Sequence, residues 1–479
     1  MTSRTKLASY GTRLLLLAAT LGLMMLTSCG TATPGLVQPV LNLPVPSTVA
    51  NTVPVTVGAN LAGFPNAVFT SVTVCPPAVY PVGQNPISGP PPTAACTTID
   101  NILVDTGSVG LRLLESSSVD ALNLPVVTDS NNNTLQECVQ FADFSYVWGP
   151  VMRATVQMAG ETAAQVPLVG ETANTGIPIQ YIYPTWSGTP VPSDCLSSPQ
   201  GGATPIAANT QQTMGANGIL GVGSFLQDCG TTCASSTPQR QYYYCPSHIC
   251  AAASVPQGLQ LWNPVAAFAY DNNGVLLNLP FPAGGASGPS TGSLTFGFGT
   301  QSDNALRQAN IYAVDTYGNF PQVTLTETLP NAAVPNLLVN YLSPQNGSYI
   351  DSASPAIYFS DAQTLAIPEC LDGNGNPMGL YCPSSDVANL YQFNAQLYGI
   401  NKAQYPYFWW NDNGSNLLSS GNSVISTLGG DSGFDASSDY VDFGLPFFLG
   451  KRVFVGFAGA AGPGIQGLMV NYPNGFWAW

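Results

Sequence analysis

Charged residues are scarce in this sequence of 479 residues, since Lys, Arg, Asp and Glu together make up 7% of it. Ten basic residues stand against 25 acidic ones, which gives a net charge of −15 at neutral pH. Three of the basic residues, Arg4, Lys6 and Arg13, lie at the N-terminus, so its removal leaves 7 − 25 = −18. A surface this acidic repels a phosphate backbone, which argues against binding of nucleic acid.

Histidine is nearly absent, because His248 is the single copy in the chain. Any mechanism with a histidine base would have to use this residue. The segment Gly430-Asp-Ser-Gly433 is similar to the nucleophile loop of chymotrypsin-like proteases. Its base would have to come from His248, which lies in a cysteine-rich loop, so we disfavour a serine nucleophile.

Long amphipathic helical runs are also missing. Short segments rich in Val, Ile, Thr, Tyr and Phe are separated by many of the 49 glycines and 41 prolines. This pattern is typical of a largely β protein. The length allows two lobes, each with its own core.

The N-terminus has a basic beginning and an apolar run from Leu14 to Leu26, which is typical of a secretion signal and too short for a convincing membrane span. The ending Leu26-Thr-Ser-Cys29 resembles the lipobox of bacterial lipoproteins, in which cysteine becomes the lipid-bearing first residue. We therefore expect a signal peptide over 1–28 and a lipidated Cys29, with a plain signal peptide as the alternative. Gly30 is not the aspartate associated with inner-membrane retention, so the outer membrane is favoured. Residues 29–57, rich in Pro and Thr, are expected to form a flexible tether.

Ten cysteines remain after Cys29, an even number that favours disulfides in an exported chain. Two pairs bracket turn-rich loops, and one pair remains as a long-range link. The expected disulfides are Cys75–Cys96, Cys370–Cys382 and Cys138–Cys195.

Four further cysteines lie close together around His248, and their pairing stays open. They are Cys229, Cys233, Cys245 and Cys250. Three thiolates and one histidine could also ligate zinc. An oxidising compartment favours disulfides over that alternative, so we expect no metal and no cofactor.

One stretch of the first half delivers an acid to a tight turn. Apolar residues lead into Asp105, and alternating apolar residues resume at Val109, which predicts a strand, a loop and a second strand. Small and hydroxyl residues between them can hold the carboxylate through amides and hydroxyls. They are Thr106, Gly107 and Ser108.

The second half repeats this pattern around Asp351, which follows Tyr349-Ile350. The residues after this acid are Ser352, Ala353 and Ser354. Each acid is followed much later by an apolar-apolar-Gly segment or a close variant of one. These segments are Gly218-Ile-Leu-Gly221 and Asp442-Phe-Gly-Leu-Pro-Phe-Phe448.

Together these motifs resemble the pepsin-like aspartic peptidases, in which each lobe supplies one Asp in a D-[ST]-G-[ST] loop. Asp105-Thr-Gly-Ser108 matches that loop fully. The resemblance covers roughly residues 60–479 and implies an all-β, bilobal double β-barrel with an active-site cleft between lobes 58–260 and 261–479. It implies catalysis by Asp105 and Asp351, with the small and hydroxyl residues of the two loops as braces.

Two departures from the family pattern bear on activity. Ala353 stands where the family nearly always has Gly, which adds a methyl group beside the carboxylates. The position of the flap tyrosine falls on Ala142, so we expect Tyr146, Trp148 and Gly149 to form the flap that contacts substrate. Asp431 is an alternative second acid, but it follows two glycines rather than an apolar strand.

The resemblance implies a lipid-anchored, monomeric peptidase of the bacterial cell envelope that binds an extended peptide and activates water. One alternative is a pepsin-fold lipoprotein that binds peptides without cleaving them. Another is a structural or adhesive envelope protein, which the composition explains but the two acid loops do not. We expect the chain to belong to an uncharacterised family of bacterial lipoproteins.

Overall fold

A computed structural model of the chain describes residues 46–77, 96–167, 175–197, 205–238, 240–328, 337–343, 347–360, 367–383, 391–433, 440–463 and 469–479. Over these ranges the chain is mostly β with a few short helices, as the composition predicts. None of the helices in these ranges is long and apolar enough to cross a membrane. The expected signal peptide and the lipidated Cys29 lie outside the described residues.

The strands of the first half alternate with tight turns. They are β1 Thr52–Gly58, β2 Ala67–Cys75, β3 Thr97–Asp105, β4 Val109–Leu114, β5 Leu135–Gln140, β6 Ser145–Met158, β7 Glu161–Ala163, β8 Ile177–Ile182, β9 Ile206–Ala207, β10 Gly218–Val222, β11 Tyr242–Tyr244 and β12 Ala251–Ala252. The helices of this half are α1 Ser117–Asp120, α2 Gln211–Met214 and α3 Gly230–Ser235, and the 3₁₀ turns are Trp186–Gly188, Pro246–His248 and Gln257–Leu259.

The second half has the same character. Its strands are β13 Gly274–Asn278, β14 Ala286–Ser287, β15 Ser290–Phe296, β16 Ile311–Ala313, β17 Gln322–Thr328, β18 Leu337–Leu342, β19 Tyr349–Ile350, β20 Ile357–Tyr358, β21 Glu369–Leu371, β22 Pro377–Tyr381, β23 Tyr391–Tyr398, β24 Gln404–Asn411, β25 Val424–Ile425, β26 Gly429–Gly430, β27 Asp442–Phe443, β28 Arg452–Gly456, β29 Ala460–Pro463, β30 Met469–Tyr472 and β31 Phe476–Ala478. Helix α4 spans Gly414–Ser419, and the 3₁₀ turns are Val265–Ala267, Ala283–Gly285 and Leu445–Phe447.

The tether expected over residues 29–57 ends earlier than predicted, because Thr52–Gly58 forms strand β1. Val53, Val55 and Val57 are buried and alternate with exposed residues, which is the period of a half-buried strand. Strand β1 pairs with β15 of the second half and with β2 of the first. Its threonine and proline content suggested a linker, but the alternating valines decide its structure.

Strand β10 lies between the two strands that flank the first acid loop. It runs parallel to β3, with Gly221 opposite Asp105, and antiparallel to β4. A Cβ on Gly221 would lie 2.6 Å from the Val109 nitrogen, so only glycine fits between these backbones. The glycine at position 221 therefore allows β10 to pack closely against the strands on both sides of the Asp105 loop.

The second half repeats this three-strand arrangement around the second acid. Strand β27 runs parallel to β19 and antiparallel to β20, with Phe443 opposite Ile350 and Ile357. Gly444 follows β27, and a Cβ there would lie 2.0 Å from the Ala356 carbonyl oxygen. Both halves thus hold an acid loop against a strand that has a closely packed glycine near its end.

Backbone pairing continues from one half into the other. Strand β15 pairs with β1 and β13, β13 pairs with β28, and β31 pairs with β28 and β16. The largest apolar cluster contains side chains from both halves, such as Leu111, Leu220 and Phe443. Phe443 packs edge-on against Tyr407 and Trp409, with ring centroids 5.9 and 6.1 Å away. Close packing of this kind fixes β27 and hence the residue that begins it, Asp442.

Five disulfides link the described residues, and they include the three pairs expected from the sequence. The bonds join Cys75 to Cys96, Cys138 to Cys195, Cys229 to Cys233, Cys245 to Cys250, and Cys370 to Cys382. The cysteines around His248 thus pair with near neighbours and offer no thiolate to zinc. Disulfides on this scale indicate an exported protein that folds in an oxidising environment.

Candidate active site

The first acid loop holds a carboxylate at the end of strand β3. Asp105 is only 4% exposed. The backbone amides of Gly107 and Ser108 donate to its Oδ1 at 2.7 and 3.1 Å, and the Ser108 hydroxyl donates to Oδ2. Three donors thus hold the Asp105 carboxyl group in one orientation.

The second loop holds Asp351 in a similar way. The Ala353 amide donates to Asp351 Oδ1 at 2.8 Å, and the Ser354 hydroxyl lies 3.1 Å from Oδ2. Ala353 therefore keeps the amide contact that glycine makes in the first loop. Its φ is not in the left-handed region, so the extra methyl group requires no unusual backbone conformation.

Reciprocal hydrogen bonds lock the two loops together. The Thr106 amide donates to Ser352 Oγ at 3.2 Å, and the Ser352 amide donates to Thr106 Oγ1 at 2.9 Å. The Ser352 hydroxyl also donates to the Val104 carbonyl at 2.7 Å. Because all these groups are buried, the contacts fix the acid of one half relative to the acid of the other.

The two carboxyl groups meet. Asp351 lies against the loop of Asp105, since a Cβ on Gly107, two residues after Asp105, would lie 2.7 Å from Asp351 Cγ. Burial raises the pKa of Asp351 well above its usual range, and the nearby charges of Asp105 and then Asp442 raise it further. Asp351 is thus the acid of the pair that holds a proton.

A third acid, Asp442, lies beside this pair, and the sequence analysis did not identify it as a site residue. Asp442 begins β27, is 4% exposed, and accepts a hydrogen bond from the Ser354 hydroxyl at 2.5 Å. Burial raises its pKa to about 8; the Ser354 hydrogen bond lowers that pKa and the Asp105 charge raises it. The sequence offered one signal for this residue: an acid stands in the second apolar-apolar-Gly segment at the position where the first half has Ile219.

The acids lie in a cleft of about 1060 Å³ lined by residues from both halves. The β5–β6 hairpin reaches this cleft with its tip, residues 141–145, which includes Ala142. The tip faces the second half across the cleft, since a Cβ on Gly433 would lie 3.9 Å from the Phe144 ring. A chain segment bound to the acids would therefore be covered by this hairpin.

The three residues expected to contact substrate from the flap lie in the hairpin but outside the cleft lining. Trp148 is buried with its ring 5.5 Å from that of Tyr243, and Tyr146 packs against the same cluster. A Cβ on Gly149 would lie 1.9 Å from the Tyr181 carbonyl oxygen, so Gly149 serves close backbone packing. Strand alternation places Tyr146 and Trp148 on the same face, toward this cluster, and the residues of the tip line the cleft instead.

The alternative site residues lie apart from the acid pair. Asp431 lines the cleft beside Ser432 and Gly433, and its Oδ1 accepts from the Gly433 amide at 3.3 Å. His248 does not line the cleft, and its Nδ1 lies 3.4 Å from Thr189 Oγ1. In the described ranges no group of three or more His, Cys, Asp or Glu side chains is arranged to hold a metal ion.

Comparison with known proteins gives a family and two structural likenesses. A family model described as "Protein of unknown function (DUF3443)" matches residues 47–472. None of the curated proteins matches the chain.

The chain is similar to the crystal structure of an aspartic proteinase from Irpex lacteus, at 15% identity and a TM-score of 0.43, covering 90% of this chain and 96% of that one. It is also similar to basic 7S globulin from soybean, at 12% identity and a TM-score of 0.35, covering 85% of this chain and 94% of that one. Likenesses at this level assign no activity.

Proposed function

The chain belongs to the family described as "Protein of unknown function (DUF3443)", and we propose that this member is an exported pepsin-like aspartic peptidase. The observation that carries the proposal is the close approach of Asp105 and Asp351 in two interlocked loops, each acid held by an amide of its own loop. In this proposal residues 58–260 and 261–479 form two β-barrel lobes, and the cleft between them binds substrate.

The acid pair supports a shared-proton mechanism. Two unit charges about 3 Å apart repel by roughly 5 kcal/mol at an effective dielectric constant of about 20. One carboxyl group therefore stays protonated while the other ionises. Asp105, with three donors on its oxygens, is the base, and Asp351, with its raised pKa, is the acid.

Hydrolysis then proceeds in two steps. Asp105 removes a proton from a water molecule as its oxygen attacks the peptide carbonyl carbon, while Asp351 donates its proton to the carbonyl oxygen. In the second step Asp351 takes back the proton of one hydroxyl, Asp105 gives its proton to the amide nitrogen, and the C–N bond breaks. Together the two steps consume one water molecule and return both aspartates to their starting protonation states.

We propose that an extended peptide occupies the cleft. The hairpin tip and the loop around Gly433 bound it on opposite sides, and polar backbone groups of both can pair with a peptide strand. We propose that the protein acts as a monomer on extended protein segments. We also propose that a lipid on Cys29 anchors it to the bacterial outer membrane, with the chain before residue 46 as the tether, because residues 47–51 already bond to the fold.

The test is cleavage of an unfolded protein by the soluble chain starting at Pro46, which keeps β1 intact. We expect pepstatin-sensitive cleavage between about pH 3 and 7, with a loss of at least about 1000-fold in kcat/KM for Asp105→Asn and Asp351→Asn. Asp100→Asn is the matched control, because Asp100 is an exposed acid on the same strand as Asp105.

Cleavage that survives in both aspartate variants would rule out this mechanism. Labelling with a radioactive fatty acid tests the anchor separately. We expect incorporation into the full chain and none into Cys29→Ala.

A second candidate function is peptide binding without cleavage. Ala142 at the hairpin tip favours it, because alanine offers no hydroxyl or ring to cover the reacting carbonyl. This candidate predicts that pepstatin or a denatured protein binds the soluble chain while no product forms at any pH from 3 to 7.

A further inference from the structure

The Ser354 hydroxyl lies between two carboxyl groups. Its Oγ is 3.1 Å from Asp351 Oδ2 and 2.5 Å from Asp442 Oδ2. A hydroxyl group has one proton, so it can donate to only one of these oxygens at a time. The other contact is a hydrogen bond only if that carboxyl group carries a proton of its own.

The strand register shows which residue of the first half corresponds to Asp442. Asp442 lies opposite Tyr349, two residues before the acid of its half. In the first half, Ile219 lies opposite Leu103, again two residues before the acid. A buried carboxyl group thus occupies a position that is apolar in the first half. Packing alone does not require a carboxyl group there, because burying one is unfavourable.

In the part of the chain that the structure describes, no salt bridge reaches Asp442. Its Oδ1 has no hydrogen-bond partner among the described residues. The groups that face it from β19, β20 and the two acid loops are acids, phenols and one hydroxyl: Tyr349, Tyr358, Asp105, Asp351 and Ser354. An isolated buried carboxylate is unfavourable, so this group keeps a proton unless a neighbour takes it.

We propose that Asp442 is a third acid of the site, which exchanges a proton with Asp351 through the Ser354 hydroxyl. The inference rests on the proposed peptidase function and extends it with a positioning residue. In one state, protonated Asp442 donates to Ser354 Oγ, and the Ser354 proton is donated to ionised Asp351. In the other, protonated Asp351 donates to Ser354 Oγ, and the Ser354 proton is donated to ionised Asp442.

The two states differ by the concerted movement of two protons and leave no charge on Ser354. The exchange keeps a proton available to Asp351 at pH values where the pair of catalytic aspartates alone would lose it. Two pKa values agree with this geometry: burial raises the pKa of Asp442 to about 8, and the Asp442 charge helps to raise that of Asp351. The consequence is an active range that extends toward neutral pH.

The first test is the pH profile of kcat/KM. Asp442→Asn removes the titrating group and its charge while keeping its size. We expect the alkaline limb of the profile to move to lower pH by about one unit, while the acid limb is unchanged. At pH values above the alkaline limb, kcat/KM then falls by up to about tenfold. Ser354→Ala breaks the link and is expected to move the same limb in the same direction, and Ser354→Thr, which keeps the hydroxyl, restores it.

The double variant shows whether both residues act through one path. We expect Asp442→Asn with Ser354→Ala to move the limb no further than one single variant does. Additive shifts would show that the two residues act independently and would overturn the proposed path. An equal loss of kcat/KM at every pH would show that Asp442 acts only on stability or packing. Asp442→Ile, which copies the first half, gives a second variant if the amide impairs folding.

Infrared difference spectra test the proton without any need for cleavage. We expect a protonated-carboxyl band in the soluble protein at pH 7 that disappears as the pH rises through about 8 and is missing in Asp442→Asn. An unchanged band in the variant overturns the proposal. If the band behaves as expected but no peptide is cleaved, the shared proton stands and the peptidase function fails.

Discussion

At the scale of single residues, the contact between Gly107 and Asp351 decides how closely the two acids approach. A Cβ at position 107 would lie 2.7 Å from Asp351 Cγ, which is too close for any real contact. The neighbour is a short carboxyl group held by two hydrogen bonds and cannot move aside freely.

Gly107→Ala is therefore expected to push the two acids apart. A displacement of about 1 Å costs on the order of 100-fold in kcat, and overpacking destabilises by roughly 1–3 kcal/mol. Steady-state kinetics and urea unfolding measure the two effects. Gly288→Ala is the control, because a Cβ there meets nothing within 4 Å; equal behaviour of both variants would contradict the tight contact.

At the scale of elements, one disulfide adds a covalent link between the β5–β6 hairpin and the segment around Cys195. Cys138 lies on β5 and is bonded to Cys195, whose carbonyl also accepts from Gln140 Nε2 at 2.8 Å. The bond spans 57 residues, whereas Cys370–Cys382 spans 12. Loop-closure entropy predicts about 4 kcal/mol for the longer loop and about 3 kcal/mol for the shorter one.

We expect the double variant Cys138→Ala, Cys195→Ala to lose stability and to raise KM several-fold, because the hairpin tip is then less well held over the cleft. The double variant Cys370→Ala, Cys382→Ala is the control and is expected to lose stability without the rise in KM. Urea unfolding and peptide kinetics separate the two. A rise in KM of the same size in both would mean that the hairpin needs no separate clamp.

At the scale of the whole molecule, several buried acids make stability depend on pH. Burial raises the pKa of Glu161 to about 7 and that of Asp442 to about 8, and it also raises the pKa of Asp228 and Asp351. These groups bind protons more tightly in the folded chain than in the unfolded chain. Their stabilising contribution is therefore full below about pH 4 and is lost as the pH rises through the folded-state pKa values.

We accordingly expect the urea midpoint of the soluble chain to be higher at pH 5 than at pH 8. Each fully buried group contributes on the order of 1 kcal/mol per pH unit between its two pKa values. The net charge of the soluble chain, 7 − 25 = −18, adds repulsion in the same direction. Glu161→Gln is expected to flatten the slope up to about pH 7, and a midpoint that rises from pH 5 to 8 would contradict the raised pKa values.

Much of the local structure could be read from the sequence because it depends on neighbours along the chain. The apolar run before Asp105, the small residues after it and the alternation that resumes at Val109 predicted a strand, a loop and a strand, and β3 and β4 end and begin at those residues. Close spacing across turn-rich loops likewise predicted the bonds Cys75–Cys96 and Cys370–Cys382. The mostly β character followed from composition.

Tertiary structure alone decided what depends on contacts between distant segments. The alternation of Val53, Val55 and Val57 became meaningful only when β15 and β2 paired with it. The side chains of Tyr146 and Trp148 were assigned to the cleft by chain position, but Trp148 is buried in the cluster around Tyr243 and Tyr146 packs against that cluster. Asp442 is 91 residues from Asp351 by number, 442 − 351, and only the pairing of β27 with β19 brings its carboxyl group to Ser354. Local patterns fix which residues form a strand or a turn, whereas the burial and charge of a side chain are set by whatever the rest of the chain packs against it.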